Sequence, residues 1–377
     1  MSNANLAWLL AGAMLPSALV AWAATWVVRR FAVRWGLLDQ PNARKVHVTP
    51  TPLGGGLAIW AGVIATFAAA QAVLWLATIN PSVRAMMPEF ARPHIDGLWD
   101  RADSLWTLLG AGTVLMIVGL MDDRRGLPWQ LRLGIQFFVA AACVIGRGWQ
   151  LTAFIDSAPI TWTLSVLWIV MLVNSFNMLD NMDGLSGGVA TIASLMLAAV
   201  LLMNPDPETR QPQMFVAGLL LVLAGSTCGF LWHNRPPARI FMGDAGSYFL
   251  GFTIAIATML ATFSGYHSSR PHTVLAPLCV MAVPLYDTVT VLWIRLSQGK
   301  SPFHADKNHF SHRLVELGLS KTQAVLTIYL TTATCGLGAL LLHQVDTAGA
   351  VIIALLILCV LALIAILEMS ARRKINA

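Results

Sequence analysis

The sequence predicts an all-α polytopic membrane protein of about eleven transmembrane helices, with ten as the alternative count. Three observations carry this. Of 377 residues, 57% are hydrophobic and only 11% are charged, against roughly 25% charged in a soluble domain. The apolar residues gather in runs close to the ~20 residues that a helix needs to cross a bilayer. No polar segment between the runs is long enough to fold as a separate soluble domain.

The runs fall at 6–28, 55–77, 105–121, 131–149, 160–178, 184–204, 213–232, 247–265, 273–296, 323–342 and 349–369. Several are short or contain Pro and Gly, which is why ten is the alternative. The first run has no basic segment ahead of it and no small-residue cleavage site after it, so it reads as a retained span and not a signal peptide. An odd count puts the two termini on opposite sides. The connections after runs one, three, five, seven and nine, with the C-terminal tail, hold eighteen of the 24 Lys and Arg residues. The positive-inside rule then places the N-terminus outside and the tail in the cytoplasm. The net charge of +6 follows from that topology and does not point to nucleic acid. The five cysteines, Cys143, Cys228, Cys279, Cys335 and Cys359, lie in apolar runs without a CxxC pair, which argues against a disulfide framework or zinc site. The chain reads as one integral-membrane domain, 1–377, with its motifs between about 39 and 320.

The polar clusters all fall on the cytoplasmic side, whereas outer loops such as 78–104 read as plain connectors. RKVHVTPTPLGGG leads into the second run, where its glycines suit close helix packing as well as phosphate contact. Asp122-Asp123, followed by Arg124-Arg125, ends the third run. Adjacent carboxylates repel and want a divalent cation or a proton; a helix end paired with its own arginines is the plainer alternative. NSFNMLDNMDGLSGG separates runs five and six. Its Asn174 and Asn177, then Asp180 and Asp183, are each three apart, which places each pair on one helical face. Helix capping would use one or two of these four residues. The stretch holds no Lys or Arg, so a metal ion or basic residues from elsewhere must supply positive charge. RIFMGDAGS sets Asp244 between two glycines at a helix start, where an anion is favoured; an N-cap is the alternative. HADKNHFSHR packs three histidines, a lysine and an arginine into one loop, which suits phosphate better than zinc. Asp287, three residues after Pro284 inside the ninth run, is a functional candidate or an interhelical hydrogen bond.

Carboxylates that hold Mg²⁺, with basic residues around them, are the usual equipment of phosphoryl transfer. At a membrane surface such a site suits a lipid phosphate as acceptor. An inverted-repeat transporter would instead place polar breaks near mid-membrane in both halves. A transporter coupled to ions is the second reading, resting on Asp287 and the broken ninth run.

PNARKVH with PTPLGGG, GLMDDRRGLPWQLRLGIQ, NSFNMLDNMDGLSGG, RIFMGDAGS, PLYDT and ADKNHFSHRL occur in this order. Together they resemble the polyprenyl-phosphate N-acetylhexosamine-1-phosphate transferases, whose superfamily also contains the phospho-MurNAc-pentapeptide translocases. PNARKVH and the ADxxH loop are more similar to the N-acetylglucosamine branch; phospho-MurNAc-pentapeptide transfer is the alternative. The resemblance implies a fold of ten or eleven helices with a cytoplasmic cleft. It also implies that a UDP-sugar, most simply UDP-GlcNAc, gives its sugar 1-phosphate to undecaprenyl phosphate and releases UMP, with Mg²⁺ (or Mn²⁺) as cofactor. On the matching positions it implies a metal set of Asp244, Asp122, Asp123 and Asn177. Asp122, Asp123, Asp183, His309 and His312 become the expected catalytic residues. Lys45, His47, Asn174, Asn177, Asp180, Asn234, Arg239, Phe241 and Arg313 become the expected substrate contacts, with Asn234 and Phe241 near the uracil. The expected setting is the bacterial cytoplasmic membrane, at the start of a cell-envelope glycan, with a homodimer as a further expectation. Two positions depart from the family pattern. Asn181 stands where Asp-Gly-x-Asp-Gly has its first glycine, and Ser311 stands where His-x-His-His has its middle histidine.

Overall fold

The computed structural model describes residues 2–41, 49–89, 91–92, 95–151, 155–206, 212–261, 263, 270–303 and 306–376. Within them the chain is almost entirely helical: α1 (Asn3–Phe31), α2 (Gly55–Ile79), α3 (Pro81–Met86), α4 (Ile95–Arg125), α5 (Trp129–Arg147), α6 (Ala158–Leu179), α7 (Leu185–Met203), α8 (Met214–Asn234), α9 (Gly243–Leu260), α10 (Ala276–Val280), α11 (Ala282–Ser297), α12 (Phe310–Glu316), α13 (Lys321–Leu342) and α14 (Thr347–Asn376). A two-residue ribbon, β1 (Leu38–Asp39) with β2 (Thr51–Pro52), pairs antiparallel across the loop between α1 and α2.

Local chemistry sets many of the ends. Asn80 caps α3 by accepting from the Ser82 N–H, and Pro81 follows at the first helical position, where its missing N–H costs nothing. Ser320 and Gln323 form a capping box on α13. Arg29 and Arg30 end α1, and Arg124 and Arg125 end α4, where cations meet the negative end of the helix dipole.

Nine of the described helices are long and apolar enough to cross a membrane, or ten if one bent pair counts as a span. That pair is the ninth expected run: 271–280 and α11 meet at 66°. The eighth expected run appears as the 18-residue α9, outside those nine because its first turn is Gly-Asp-Ala-Gly-Ser. The loop read as a connector is also partly helical. α3 lies within it, and α4 starts at Ile95 rather than 105, so Asp100, Arg101 and Asp103 form a polar first stretch of that helix.

Burial orders the bundle. In α7 and α8, 72% of the apolar stretch is buried, against 11% in α1 and α14. The buried helices form the centre. The exposed Leu355, Leu356, Leu363 and Ile366 of α14 form a surface suited to lipid. Polar pairs join helices inside: Ser226 Oγ donates to the Ile59 carbonyl at 2.6 Å, and Trp168 Nε1 to Thr258 Oγ1 at 3.0 Å. The five cysteines are free thiols.

Candidate active site

α9 packs against α2, α4 and α6, and its N-terminus gathers the polar residues. The first N–H groups of a helix lack intrahelical partners. Here Asp123, from the end of α4, accepts from the N–H of Asp244 at 2.8 Å and of Ala245 at 3.2 Å. A carboxylate at this end also faces the positive pole of α9. The fit depends on Gly243, whose φ is +75° and where an added Cβ would lie 2.4 Å from the Asp123 carboxylate. Gly119 allows α4 that close: a Cβ there would sit 2.4 Å from the Asp244 carbonyl. Asp123, expected in both the catalytic and metal sets, is thus engaged with backbone.

Asp122 and Asp244 face each other through Arg132. Asp122 accepts the Leu127 N–H at 2.5 Å through one oxygen and pairs with Arg132 through the other. The same guanidinium nitrogen is 3.2 Å from Asp244 and 3.4 Å from the Tyr248 hydroxyl. The second Asp244 oxygen accepts Asn177 Nδ2 at 2.7 Å, and Ser247 Oγ is 3.1 Å from that nitrogen. The Asp244 and Arg132 side chains stay 26% and 28% exposed, against 8% for Asp122. Arg132 was not among the sequence candidates. Its signal was present, since it lies in the matching GLMDDRRGLPWQLRLGIQ stretch, but it read as one more basic residue of a positive loop.

Among the described residues, no three His, Cys, Asp or Glu side chains gather as a ready cage for a metal. Mg²⁺ does not need one, because it uses one or two carboxylates and fills its shell with water and substrate phosphates. Asp122 and Asp244 converge on one cation, Arg132, and that donor set fits such an ion, with the Asn177 amide beside it.

The turn after α6 closes the next edge. Asp180 accepts the Gly243 N–H at 3.2 Å. Burial, then the charge of Asp123, and further those of Asp183 and Asp39, push its carboxyl up to about 7. Asp183 accepts the Ala238 N–H at 2.9 Å. Asn174 Nδ2 donates to Gln136 Oε1 at 2.6 Å and to the Val170 carbonyl at 2.8 Å, which turns it toward α5.

Asn234 and Arg313, both expected substrate contacts, are engaged within the protein. Asn234 is buried; it accepts the Gly184 N–H at 2.9 Å and donates to the Ile240 carbonyl at 2.8 Å. It clasps two loops together. Arg313 is 3% exposed. Its guanidinium is held by Glu368 at 2.8 Å, Thr290 at 3.0 Å and the Asn308 carbonyl, so it braces the loop. Arg239 stays exposed, and Phe241 is half-buried. The Phe241 N–H donates to the Pro52 carbonyl at 2.8 Å and its carbonyl accepts from Gly55 at 2.9 Å, which ties the PTPLGGG stretch to the site's rim. Lys45, His47 and His304 lie outside the described residues.

The histidine loop is fastened to α11. Asp287, fully buried, lies 3.0 Å from His309 Nδ1 and accepts the Phe310 N–H at 2.5 Å. The intramembrane carboxylate therefore orients His309, which is the role sequence alone left open. Arg295 holds Asp306 at 3.1 and 3.2 Å. Burial opposes ionisation of Asp306, but the Arg295 and Asn308 hydrogen bonds overcome it and hold the carboxyl down at about 2. The His312 ring centre is 6.3 Å from that of His309. Burial, then His309 and Lys307, push His312 down to about 4, so it is neutral at physiological pH. Ser311 Oγ donates to Asn181 Oδ1, which brings the loop against the turn that carries Asp180 and Asp183.

Comparison with known proteins is consistent with this geometry. The family described as "Glycosyl transferase family 4" matches residues 105–262. A probable undecaprenyl-phosphate N-acetylglucosaminyl 1-phosphate transferase of Bacillus subtilis is 32% identical over 343 residues, covering 88% of this chain and 84% of that protein. The decaprenyl-phosphate N-acetylglucosaminephosphotransferase of Mycobacterium tuberculosis is 32% identical over 379 residues, covering 94% and 88%. The undecaprenyl-phosphate alpha-N-acetylglucosaminyl 1-phosphate transferase of Salmonella typhi is 28% identical over 319 residues, covering 81% and 77%.

Proposed function

We infer, from the premise that this chain belongs to glycosyl transferase family 4, in its branch of polyprenyl-phosphate N-acetylglucosamine-1-phosphate transferases, how its residues divide the work. The chain is a multi-pass membrane enzyme that transfers GlcNAc 1-phosphate to a polyprenyl phosphate. We take UDP-GlcNAc as the donor and undecaprenyl phosphate as the acceptor, in the bacterial cytoplasmic membrane with the N-terminus outside. An oxygen of the lipid phosphate attacks the sugar-bearing phosphorus of the donor. A new P–O bond forms, the bridging P–O bond breaks, and UMP leaves with the bridging oxygen.

The observation that carries this reading is the facing pair Asp122 and Asp244, bridged by Arg132 at the N-terminus of α9. A Mg²⁺ held by Asp122, Asp244 and Asn177 would supply charge neutralisation for the diphosphate. Asp123 keeps the α9 N-terminus in place, and through it Asp244. Arg132 offers the cation that a lipid phosphate needs beside two carboxylates, and we assign Asp122, its partner, as the carboxylate that accepts that phosphate's proton. His309, oriented by Asp287, and the neutral His312 supply hydrogen bonds on the opposite edge. Asp287 was the main support for a transporter, and its engagement with His309 and Phe310 accounts for it within the transferase.

The test is UMP release by purified protein given UDP-GlcNAc, undecaprenyl phosphate and Mg²⁺. Release that needs all three is expected. No release across a panel of UDP-N-acetylhexosamines overturns the reading.

A further inference from the structure

The two departures from the family pattern touch each other. Ser311 Oγ donates to Asn181 Oδ1 across 130 residues of chain. Ser311 is 1% exposed, so its hydroxyl is committed to the interior. The other end of the Asn181 amide donates to the Met178 carbonyl at 2.8 Å, which fixes the oxygen's direction. A glycine at 181 would offer no side-chain acceptor, so this link requires the asparagine.

Both residues sit within the site's own segments. Asn181 directly follows Asp180 and lies two before Asp183. Ser311 lies two after His309 and directly precedes His312. The loop's anchors through Asp287, Arg295 and Glu368 run to α11 and α14. They reference the loop to those helices. The Ser311–Asn181 bond runs instead to the carboxylate turn.

We propose that Asn181 and Ser311 form a positioning pair that holds the histidine loop against the carboxylate turn, and so sets His309 and His312 relative to Asp180 and Asp183. The proposal rests on the transferase reading of the site. Both residues act through their neighbours and not on the reacting atoms.

Full-length wild type, Asn181→Gly, Ser311→Ala, the double variant and Ser311→Thr are compared in two ways. Amide hydrogen exchange is followed by mass spectrometry over 178–186 and 306–316. Transfer is measured as kcat and KM for UDP-GlcNAc. Either single variant is expected to raise exchange in both segments and to lower kcat about five-fold, the scale of one buried neutral hydrogen bond, with KM changed less than about two-fold. The double variant falls no further than the singles, the mark of one shared interaction. Ser311→Thr, which keeps the hydroxyl, restores both readouts. Unchanged exchange over 178–186 in Ser311→Ala, or losses that add in the double variant, overturns the pair. A wild type that releases no UMP from any UDP-N-acetylhexosamine overturns the transferase reading instead, and the exchange measurement then decides the pair alone.

Discussion

Asp122 and Asp123 are neighbours in sequence, yet they do different work. Asp123 accepts two backbone N–H groups of α9, while Asp122 shares Arg132 with Asp244. Removing Asp244 takes one carboxylate from that cluster while leaving the contact of Asp123 with the α9 backbone intact. Asp244→Ala is expected to lower kcat by about 10²-fold or more, the scale of losing a preorganised charge contact. An unchanged melting temperature in detergent shows that the fold survives. Asp180 makes a second prediction. Its carboxyl titrates at about 7 in the folded chain against an ordinary 3.8. Between those values the folded state holds a proton that the unfolded state releases, so stability falls as pH rises from about 4 to about 7 and levels off above. The difference in melting between wild type and Asp180→Asn, followed without divalent cation over that range, should show this slope.

At the scale of elements, the site is a junction of chain ends: the ends of α4 and α6, the start of α9 and the loop into α12. The glycine that permits the α4–α9 contact is the sharpest test of this junction. Gly243→Ala forces an L side chain into a positive φ and toward the Asp123 carboxylate. A loss of about 2 kcal/mol or more is expected, read as a lower melting temperature together with lost transfer. The α11–α12 junction gives a different outcome. Asp287→Asn keeps the shape but changes what Nδ1 of His309 meets. Transfer should drop about 10²-fold, the low end for loss of a preorganised hydrogen-bond donor, with donor KM little changed. Activity equal to wild type would show that His309 needs no carboxylate partner.

For the whole molecule, the testable statement is orientation. Met86, 84% exposed on α3, should accept a membrane-impermeant thiol reagent from outside intact cells when changed to Cys. A cysteine in place of Lys300, in the loop after α11, should react only after permeabilisation. The reverse pattern would invert the topology. The residue types and their order were enough to predict a bundle of apolar helices with its polar clusters together, because a bilayer excludes unpaired backbone and charge so strictly that hydropathy and Lys/Arg placement alone report it. The motif stretches, in their order, were enough to point to the transferase family. Which carboxylate does what was not legible. Asp122 and Asp123 are chemically identical, and only the approach of α9 assigns one to a cap and the other to Arg132. Arg132 looked like loop charge until folding placed it between two aspartates. That Asn234 and Arg313 have their polar atoms engaged within the protein was likewise not legible. The contact of Asn181 with Ser311 joins positions 130 residues apart. Local sequence encodes the helix that each residue belongs to, whereas pairing across helices depends on how the helix ends converge, which only the packed structure decides.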